Sequence, residues 1–393
     1  MRSDQLTHPD VIQFIQDHKN DDPASLALQA KHYPDFPIPL VAQQIKSRQK
    51  VHQKLQDWVA NPRVLFPPVE NLEQASSLLT ARFKARHWKG TRFVDLTAGT
   101  GVDAFSFSHH FEHSELVEPS TALCELLRHN AEVFGLQVHV LNTTAESFLE
   151  GVKGKTDLIY IDPSRRNRQQ QRVVGFEDAS PNVLNLLPTL LRVSTHVLIK
   201  ASPMIDLRAS VKQLGGVSAI HLIAVKNEMK EVLFHLSDQR SMNPKMEAWD
   251  LLKDGEVVFE CELDEEKEAV AEYGVPGKYI YIPNAAVMKS GAYKICSERF
   301  QLKKLHPNTH VYTSDTCNRR FPGRVFQVKD GLKPDKKAIR SAFPDGKVHV
   351  LIRNYPSTSK EIKQRYKLHD GGEHYLICCR AGERHVMLWC NLV

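Results

Sequence analysis

Between residues 38 and 59 apolar side chains return every three or four positions: Ile38, Val41, Ile45, Val51, Leu55 and Trp58, with Leu40 and Val59 beside them. That period marks one face of a helix. Asn61-Pro62 ends it, and Pro67-Pro68 marks a turn. A further helix is expected from Asn71, with Leu72, Ala75, Leu78, Leu79 and Phe83 on one side. Residues 1–88 therefore read as a helical region. From residue 91 the period shortens. Apolar runs at 92–96, 114–117, 138–142, 158–161 and 195–200 read as strands, and 102–111, 121–134 and 183–191 as helices between them. Such alternation predicts an α/β class: a Rossmann-like, doubly wound parallel sheet with helices on both faces. Segments near 221–225 and 232–236 complete it as an antiparallel pair, which bounds this domain at about 89–239. After residue 243 strands dominate. The runs 249–252 and 256–261 flank Lys253-Asp254-Gly255, a hairpin signal. Runs at 278–282, 285–288, 310–313, 324–328, 349–352, 375–379 and 385–389 follow, with a lysine-rich helix at 359–366. These predict small α+β C-terminal domains, divided at 240–328 and 329–393.

Composition adds exclusions. With 41% hydrophobic and 25% charged residues the 393-residue chain is globular. The N-terminus is polar and lacks the apolar stretch of a signal peptide, and no apolar run is long enough to span a membrane. The seven cysteines form no C-x-x-C pair, so neither a zinc site nor a disulfide framework is expected, and no metal. They read as reduced thiols of a cytoplasmic protein. Oligomeric state is not legible. The net charge of +6 conceals an asymmetry: residues 291–393 hold 20 Lys and Arg against 9 Asp and Glu, the remainder 32 against 37. A basic tail fits either an anionic partner such as RNA or a solvated basic face.

The chemistry concentrates at two strand ends. Asp95, Thr97, Ala98, Gly99, Gly101 and Asp103 lie on the first strand-to-helix turn. Glycine there lets the backbone approach a bound molecule, and the helix that follows presents free N–H groups. Glu118, at the tip of the second strand, can accept both hydroxyls of a ribose; it can also simply complement the dipole of the next helix. Pro119 follows it. Ala145 and Glu146 follow the third strand, although Glu146 also suits the first turn of a helix. The fourth strand delivers Asp162-Pro163-Ser164-Arg165-Arg166, a carboxylate at the crevice followed by a very basic loop. That loop can contact a polyanion or keep the site soluble. Lys200, after the fifth strand, is placed to contact substrate or to neutralise Asp162 or Glu118. Gln74, Ser77 and Thr80 lie on a helix just before the first strand and read as a plain helix face rather than as cover for a bound cofactor.

Asp-x-x-x-Gly-x-Gly at 95–101, the acid at Glu118, Asn130-Ala131-Glu132 with Phe134-Gly135, and Ile161-Asp162-Pro163 together resemble the class I S-adenosylmethionine-dependent methyltransferases over about 90–235. Thr97 stands where that family usually has its first glycine. The resemblance implies S-adenosylmethionine as cofactor, with Asp162 also at the cofactor. A nicotinamide enzyme is the rival, with Ala104 in the third glycine position, but the Asp-Pro on the fourth strand opposes it. In related amino-methylating enzymes the motif is Asp/Asn-Pro-Pro-Tyr/Phe, whose first residue orients a planar amine. Asp162 and Pro163 are then the catalytic pair, and positioning does most of the work. Ser164 and Arg165 replace the proline and the base-stacking aromatic. Ser164, Arg165, Arg166 and Lys200 are the expected substrate contacts.

Nearly the whole chain resembles bacterial methyltransferases that join such a core to a ferredoxin-like domain (here 240–328) and a THUMP-like module (here 329–393). The carrying residues are 162–166, Ile282-Pro283-Asn284-Ala285, 367–372 and Tyr375-Leu376-Ile377. THUMP modules hold structured RNA, chiefly tRNA, which fits the basic tail. Arg319, Arg320, Arg324, Lys336, Lys337, Arg340 and Arg353 are candidates for that contact. The resemblance implies methylation of a base nitrogen of tRNA or rRNA. A methyltransferase of protein or small molecules, and an RNA-binding protein with a degenerate core, remain alternatives.

Overall fold

The structure is a computed structural model that describes residues 3–164, 175–177 and 179–393. The chain forms two compact units: residues 1–218 with 232–242, and 219–231 with 243–393.

In the first unit the expected strands are present as β1 (Gly90–Asp95), β2 (Phe111–Val117), β3 (Val138–Leu141), β4 (Thr156–Ile161) and β5 (Ser194–Ala201). The next strand along the chain, β6 (Ala219–Val225), belongs to the second unit, and β7 (Glu228–Leu236) returns to the first. The spatial order here is β3-β2-β1-β4-β5-β7. The first five strands are parallel, and β7 runs antiparallel to β5. This is the Rossmann-like doubly wound sheet that the alternation implies. Its central strands are apolar on both faces; Phe93, Val94, Leu158, Ile159, Leu198 and Ile199 are all wholly buried, as strands covered by helices on both sides must be.

The N-terminal helices build their own cluster around Val11, Ile15, Leu26, Val41 and Ile45, closed by Leu126 of the helix Thr121–Val133. The irregular segment 61–67 runs between them without secondary structure, so side chains must satisfy its backbone. Arg48 donates to the carbonyls of Val59, Asn61, Pro62 and Val64. Gln44 exchanges two hydrogen bonds with the backbone of Phe66, at 2.7 and 2.9 Å. Asn130 does the same for Leu65, at 2.8 and 2.9 Å. These clamps set the course of the chain into the helix Val69–Gln74, which lines the cleft described below.

The helix expected from Asn71 is two helices. Val69–Gln74 ends at Ala75, and Leu78–Ala85 starts afresh with Ser77 as its cap, whose Oγ accepts the Thr80 N–H at 3.2 Å. The expected helix 102–111 stops at Ser108, because Phe111 already opens β2.

In the second unit β6 pairs in parallel with β8 (Lys245–Leu252), which forms the expected hairpin with β9 (Gly255–Glu262). A seven-stranded sheet follows, built from β10 (Tyr279–Pro283), β11 (Lys303–Lys304), β12 (Tyr312–Ser314), β13 (Gly323–Leu332), β14 (His349–Arg353), β15 (His374–Ala381) and β16 (Arg384–Leu392). Its order is β11-β12-β10-β13-β16-β15-β14. The run at 285–288, expected as a strand, is the helix Ala285–Ser290. Asn284 caps it by accepting the Val287 N–H at 2.9 Å, and a cap overrides a four-residue apolar run that fits either element. The helix Tyr293–Phe300 carried no clear period in the sequence. The helix Ser359–Tyr366 matches its expected bounds and begins with a full capping box, Thr358 with Glu361. Among the described residues, no helix is long and apolar enough to cross a membrane.

Replacing Asn130 by Ala leaves the buried N–H and C=O of Leu65 without partners. Urea unfolding should show a loss of about 2–4 kcal/mol with an unchanged m-value. A loss below about 0.5 kcal/mol, the range of neutral surface changes, would refute the clamp.

Candidate active site

The carboxyl ends of β1, β2, β3 and β4 open into a cleft of about 510 Å³, within the usual range for a bound small molecule. Asp95, Thr97, Ala98, Gly99, Asp103, Glu118, Pro119, Ala145, Glu146, Asp162 and Ser164 all line it.

The turn after β1 is built by hydrogen bonds to carboxylates. Asp95 accepts the backbone N–H of Thr97 at 2.8 Å and the Thr97 hydroxyl at 3.3 Å. The same hydroxyl accepts the Asp162 N–H at 2.7 Å. Thr97 therefore ties the end of β1 to the residue that follows β4, a role that a glycine at this position could not fill. The two glycines serve different needs. Gly99 has φ +54°, and a Cβ there would meet only Thr97 O, at 3.6 Å; the left-handed backbone and the open cleft demand glycine. Its N–H donates to Glu118 Oε2 at 3.0 Å. Gly101 does not line the cleft. A Cβ there would lie 2.7 Å from Leu127, so its glycine lets the helices Val102–Ser108 and Thr121–Val133 approach.

Glu118 is 7% exposed. Oε1 accepts the Ser120 N–H at 2.8 Å and Oε2 the Gly99 N–H. Burial raises its pKa, against the lowering effect of those two amides. Asn142 braces this corner by donating to the carbonyls of Glu118 and Pro119. Thr144 caps the helix Ala145–Gly151 beside it.

Beneath the cleft lies a charge network. Lys84 Nζ is 2.9 Å from Asp103 Oδ1. Lys200 Nζ lies 3.5 Å from Asp103 Oδ2 and 2.5 Å from Asp162 Oδ2. Ser76 Oγ donates to Asp103 at 2.7 Å and accepts from both lysines, at 2.9 and 3.1 Å. Tyr160 donates to Asp103 at 2.8 Å. Burial pushes the Asp103 carboxyl up, but Lys84 and Lys200 outweigh it and hold the group well below the usual carboxylate range. Asp95, which has no cation on it among the described residues, goes the other way. Burial lifts it to about 8, with Asp103 and Asp162 adding to the effect and the Thr97 donors opposing it.

Lys200, placed by the sequence as a substrate contact, is 4% exposed and does not line the cleft. Its charge is committed to Asp162 and Asp103, the neutralising alternative. Pro163 is buried behind Asp162, and Ser164 bridges to Ser180 through backbone bonds. Arg165 and Arg166 lie outside the described residues. Sequence reasoning missed Ser76, Lys84 and Tyr160 in the network, and Glu70 and Asn71 on the cleft wall; Gln74 lines the cleft too, rather than a plain helix face. A lysine among alternating helix positions gives no sign of burial. Among the described residues, no three His, Cys, Asp or Glu side chains are grouped to hold a metal ion.

Family models described as a ferredoxin-like domain and as THUMP domain-like match residues 279–322 and 323–392. The crystal structure of a candidate methyltransferase from Porphyromonas gingivalis W83 is 30% identical, covers 97% of each chain and superposes with a TM-score of 0.87. The ribosomal RNA small subunit methyltransferase J of Coxiella burnetii (strain Dugway 5J108-111) is 26% identical over 131 residues, 29% of this chain; the match spans 50% of that relative's length.

The raised Asp95 pKa makes a signed prediction. The folded chain keeps a proton that the unfolded chain gives up near pH 4, so this group's contribution is fully present below about pH 4. It is lost as pH rises through the folded value of about 8. In Asp95→Asn that loss disappears. Unfolding free energies of both proteins, measured by urea at pH 5 and pH 8, should show the variant gaining on the parent as pH rises. Equal pH slopes would contradict the assignment.

Proposed function

This chain belongs to the same family as the candidate methyltransferase of Porphyromonas gingivalis, and from that premise we propose that it is an S-adenosylmethionine-dependent methyltransferase acting on a base nitrogen of structured RNA, tRNA or rRNA. One observation carries the reading. The carboxylates of Glu118 and Asp162 stand at the tips of β2 and β4, on either side of the Gly99 turn, and line one cleft.

The residues present fit the cofactor. Each oxygen of Glu118 holds one backbone amide and keeps a lone pair for a ribose hydroxyl. Gly99 leaves the floor of the cleft free of a side chain, and Ala145 and Glu146 form the wall for the adenine. Asp162 places negative charge at the edge of the cleft, where a cation would lie. When bound, S-adenosylmethionine supplies a methyl group on a positively charged sulfur. Lys200 engages Asp162 Oδ2, which leaves Oδ1 to accept an N–H of the target amine and turn its lone pair towards the methyl group. Ser164, with Arg165 and Arg166, contacts the substrate.

RNA as substrate is supported by the THUMP domain-like match at 323–392, by the ribosomal RNA methyltransferase among the relatives, and by the basic composition of residues 291–393. We read residues 240–328 and 329–393 as the two C-terminal domains, after a helical part to 88 and a core at 89–239; the family matches at 279–322 and 323–392 support two such domains, with their junction six residues earlier. A cytoplasmic location fits the cysteines: all seven are free, and six of them are buried.

Mass-spectrometric profiling of nucleosides from cells with and without the gene should show one N-methylated nucleoside lost; unchanged profiles would sink the RNA reading. In calorimetry the protein should bind S-adenosylmethionine, and Gly99→Val should abolish the heat. Asp162→Ala should lower kcat by about 100-fold or more, since it removes a transition-state contact, while cofactor Kd stays within about threefold. Loss of cofactor binding in that variant would show that Asp162 holds the cofactor instead.

A further inference from the structure

Four basic side chains of the second unit gather; Glu266 offsets part of the charge of Lys304, and Arg324 and Arg353 have no such acid among the described residues. Lys304 ends β11, His310 precedes β12, Arg324 lies near the start of β13, and Arg353 ends β14. His310 feels the charges of Lys304 and Arg353, and Arg353 that of Arg324. Lys304 is 2% exposed and the other three are half-buried. Among the described residues, none of the four has an ion pair with Asp or Glu. Lys304 Nζ donates to the Pro307 carbonyl at 2.9 Å, and Arg353 Nη1 to Ile352 O at 3.0 Å. The buried Nε of Arg353 and Nδ1 of His310 have no hydrogen-bond partner. His310 stacks on Tyr293, ring centroids 3.5 Å apart, and Lys304 Nζ lies 5.6 Å from the same ring.

Four cations of the first unit, buried or half-buried, are treated differently. Lys84 and Lys200 have Asp103 and Asp162, Arg92 has Glu115 at 2.6 Å, and Arg48 fills its fork with four carbonyls. Withdrawing charges from water without a partner costs free energy. The cost registers on every member: burial lowers the pKa of Lys304, Arg324 and Arg353. His310 falls to about 4 through burial first, then Lys304 and Arg353. A cluster of this kind is complete only with an anion from outside.

We propose that Lys304, His310, Arg324 and Arg353 form a binding site for a phosphomonoester dianion, either the terminal phosphate of an RNA strand or free phosphate. Guanidinium forks match a tetrahedral oxyanion, and the Lys and His add point donors. Two negative charges balance the two arginines, which a single carboxylate or phosphodiester does not. The site lies in the second unit, shares no residue with the cleft, and joins the segments matched by the ferredoxin-like and THUMP domain-like families. The RNA source rests on the reading of the chain as an RNA methyltransferase; the phosphate chemistry does not.

The test uses the full chain in phosphate-free buffer. Inorganic phosphate should raise the Tm of the parent protein by mass action and leave that of Arg353→Gln and Arg324→Gln unmoved. Without phosphate the two variants should melt no lower than the parent, because each removes an unpaired charge. A merely structural arginine would lower the Tm and leave the phosphate response intact, and that result overturns the site. For the source, a 5′-phosphorylated RNA hairpin should bind about tenfold more tightly than its 5′-hydroxyl form, the scale of a charge-assisted contact, and Arg353→Gln should erase the difference. A phosphate response without that preference assigns the site to free phosphate. Calorimetry with S-adenosylmethionine keeps the two readings apart. Cofactor binding without any phosphate response defeats the site alone, and a phosphate response without cofactor binding defeats the enzyme reading alone.

Discussion

The cleft stands on the buried pairing of Lys84 and Lys200 with Asp103 and Asp162. The four charges come from four different elements: the helix Leu78–Ala85, β5, the helix Val102–Ser108 and the end of β4. Lys84 and Lys200 both reach Asp103, and Lys200 also reaches Asp162, so the network is a chain in which every member depends on its neighbours. Stranding one buried member by removing its partner costs about 3–5 kcal/mol, although such a network adds little over an apolar core of the same shape. What it provides is position. Asp162 has one oxygen fixed by an ammonium and its own N–H fixed by Thr97, so its carboxylate has little freedom at the edge of the cleft.

The same turn explains why one departure from the glycine pattern does no harm. A glycine at residue 97 would supply backbone freedom where none is needed. The positive φ angles fall at Gly99 and Gly101. The hydroxyl of Thr97 instead links Asp95 with the Asp162 N–H, so the first and fourth strands share one side chain. The helix that begins at Val102 carries Asp103 in its first turn, where its dipole favours a negative charge. The two lysines add to that preference.

Much of the core was legible because strand and helix periods report which faces are apolar. All five parallel strands, the glycine turn, Glu118 and Asp162 followed from that pattern and its spacing. Capping misled where an apolar run was too short to choose an element, as at 285–288, which Asn284 starts as a helix. The charge network was not legible. Periodicity cannot show that Lys84 turns inwards or that it meets Asp103, since each looks like an ordinary charged position on its own helix. The sequence offered Lys200 the substrate, Asp162 or Glu118, and the geometry pairs it with Asp162 and with Asp103, which the sequence did not offer.

Burial of a cation has two outcomes in this chain, and they separate structure from recognition. In the first unit each buried lysine or arginine that carries weight in the cleft region finds an internal partner: a carboxylate for Lys84 and Lys200, backbone carbonyls for Arg48. Such groups are satisfied in the free protein and act by holding others in place. In the second unit Arg324 and Arg353 are withdrawn from water with no Asp or Glu paired to them among the described residues, Glu266 offsets only part of the burial of Lys304, and burial holds His310 below its ordinary value. Folding alone gains nothing from that arrangement, because an apolar or neutral side chain at any of these places would remove the cost. The compensation must come from a molecule the chain binds. An unpaired buried cation thus points outward to a ligand, just as a paired one points inward to the residue it positions.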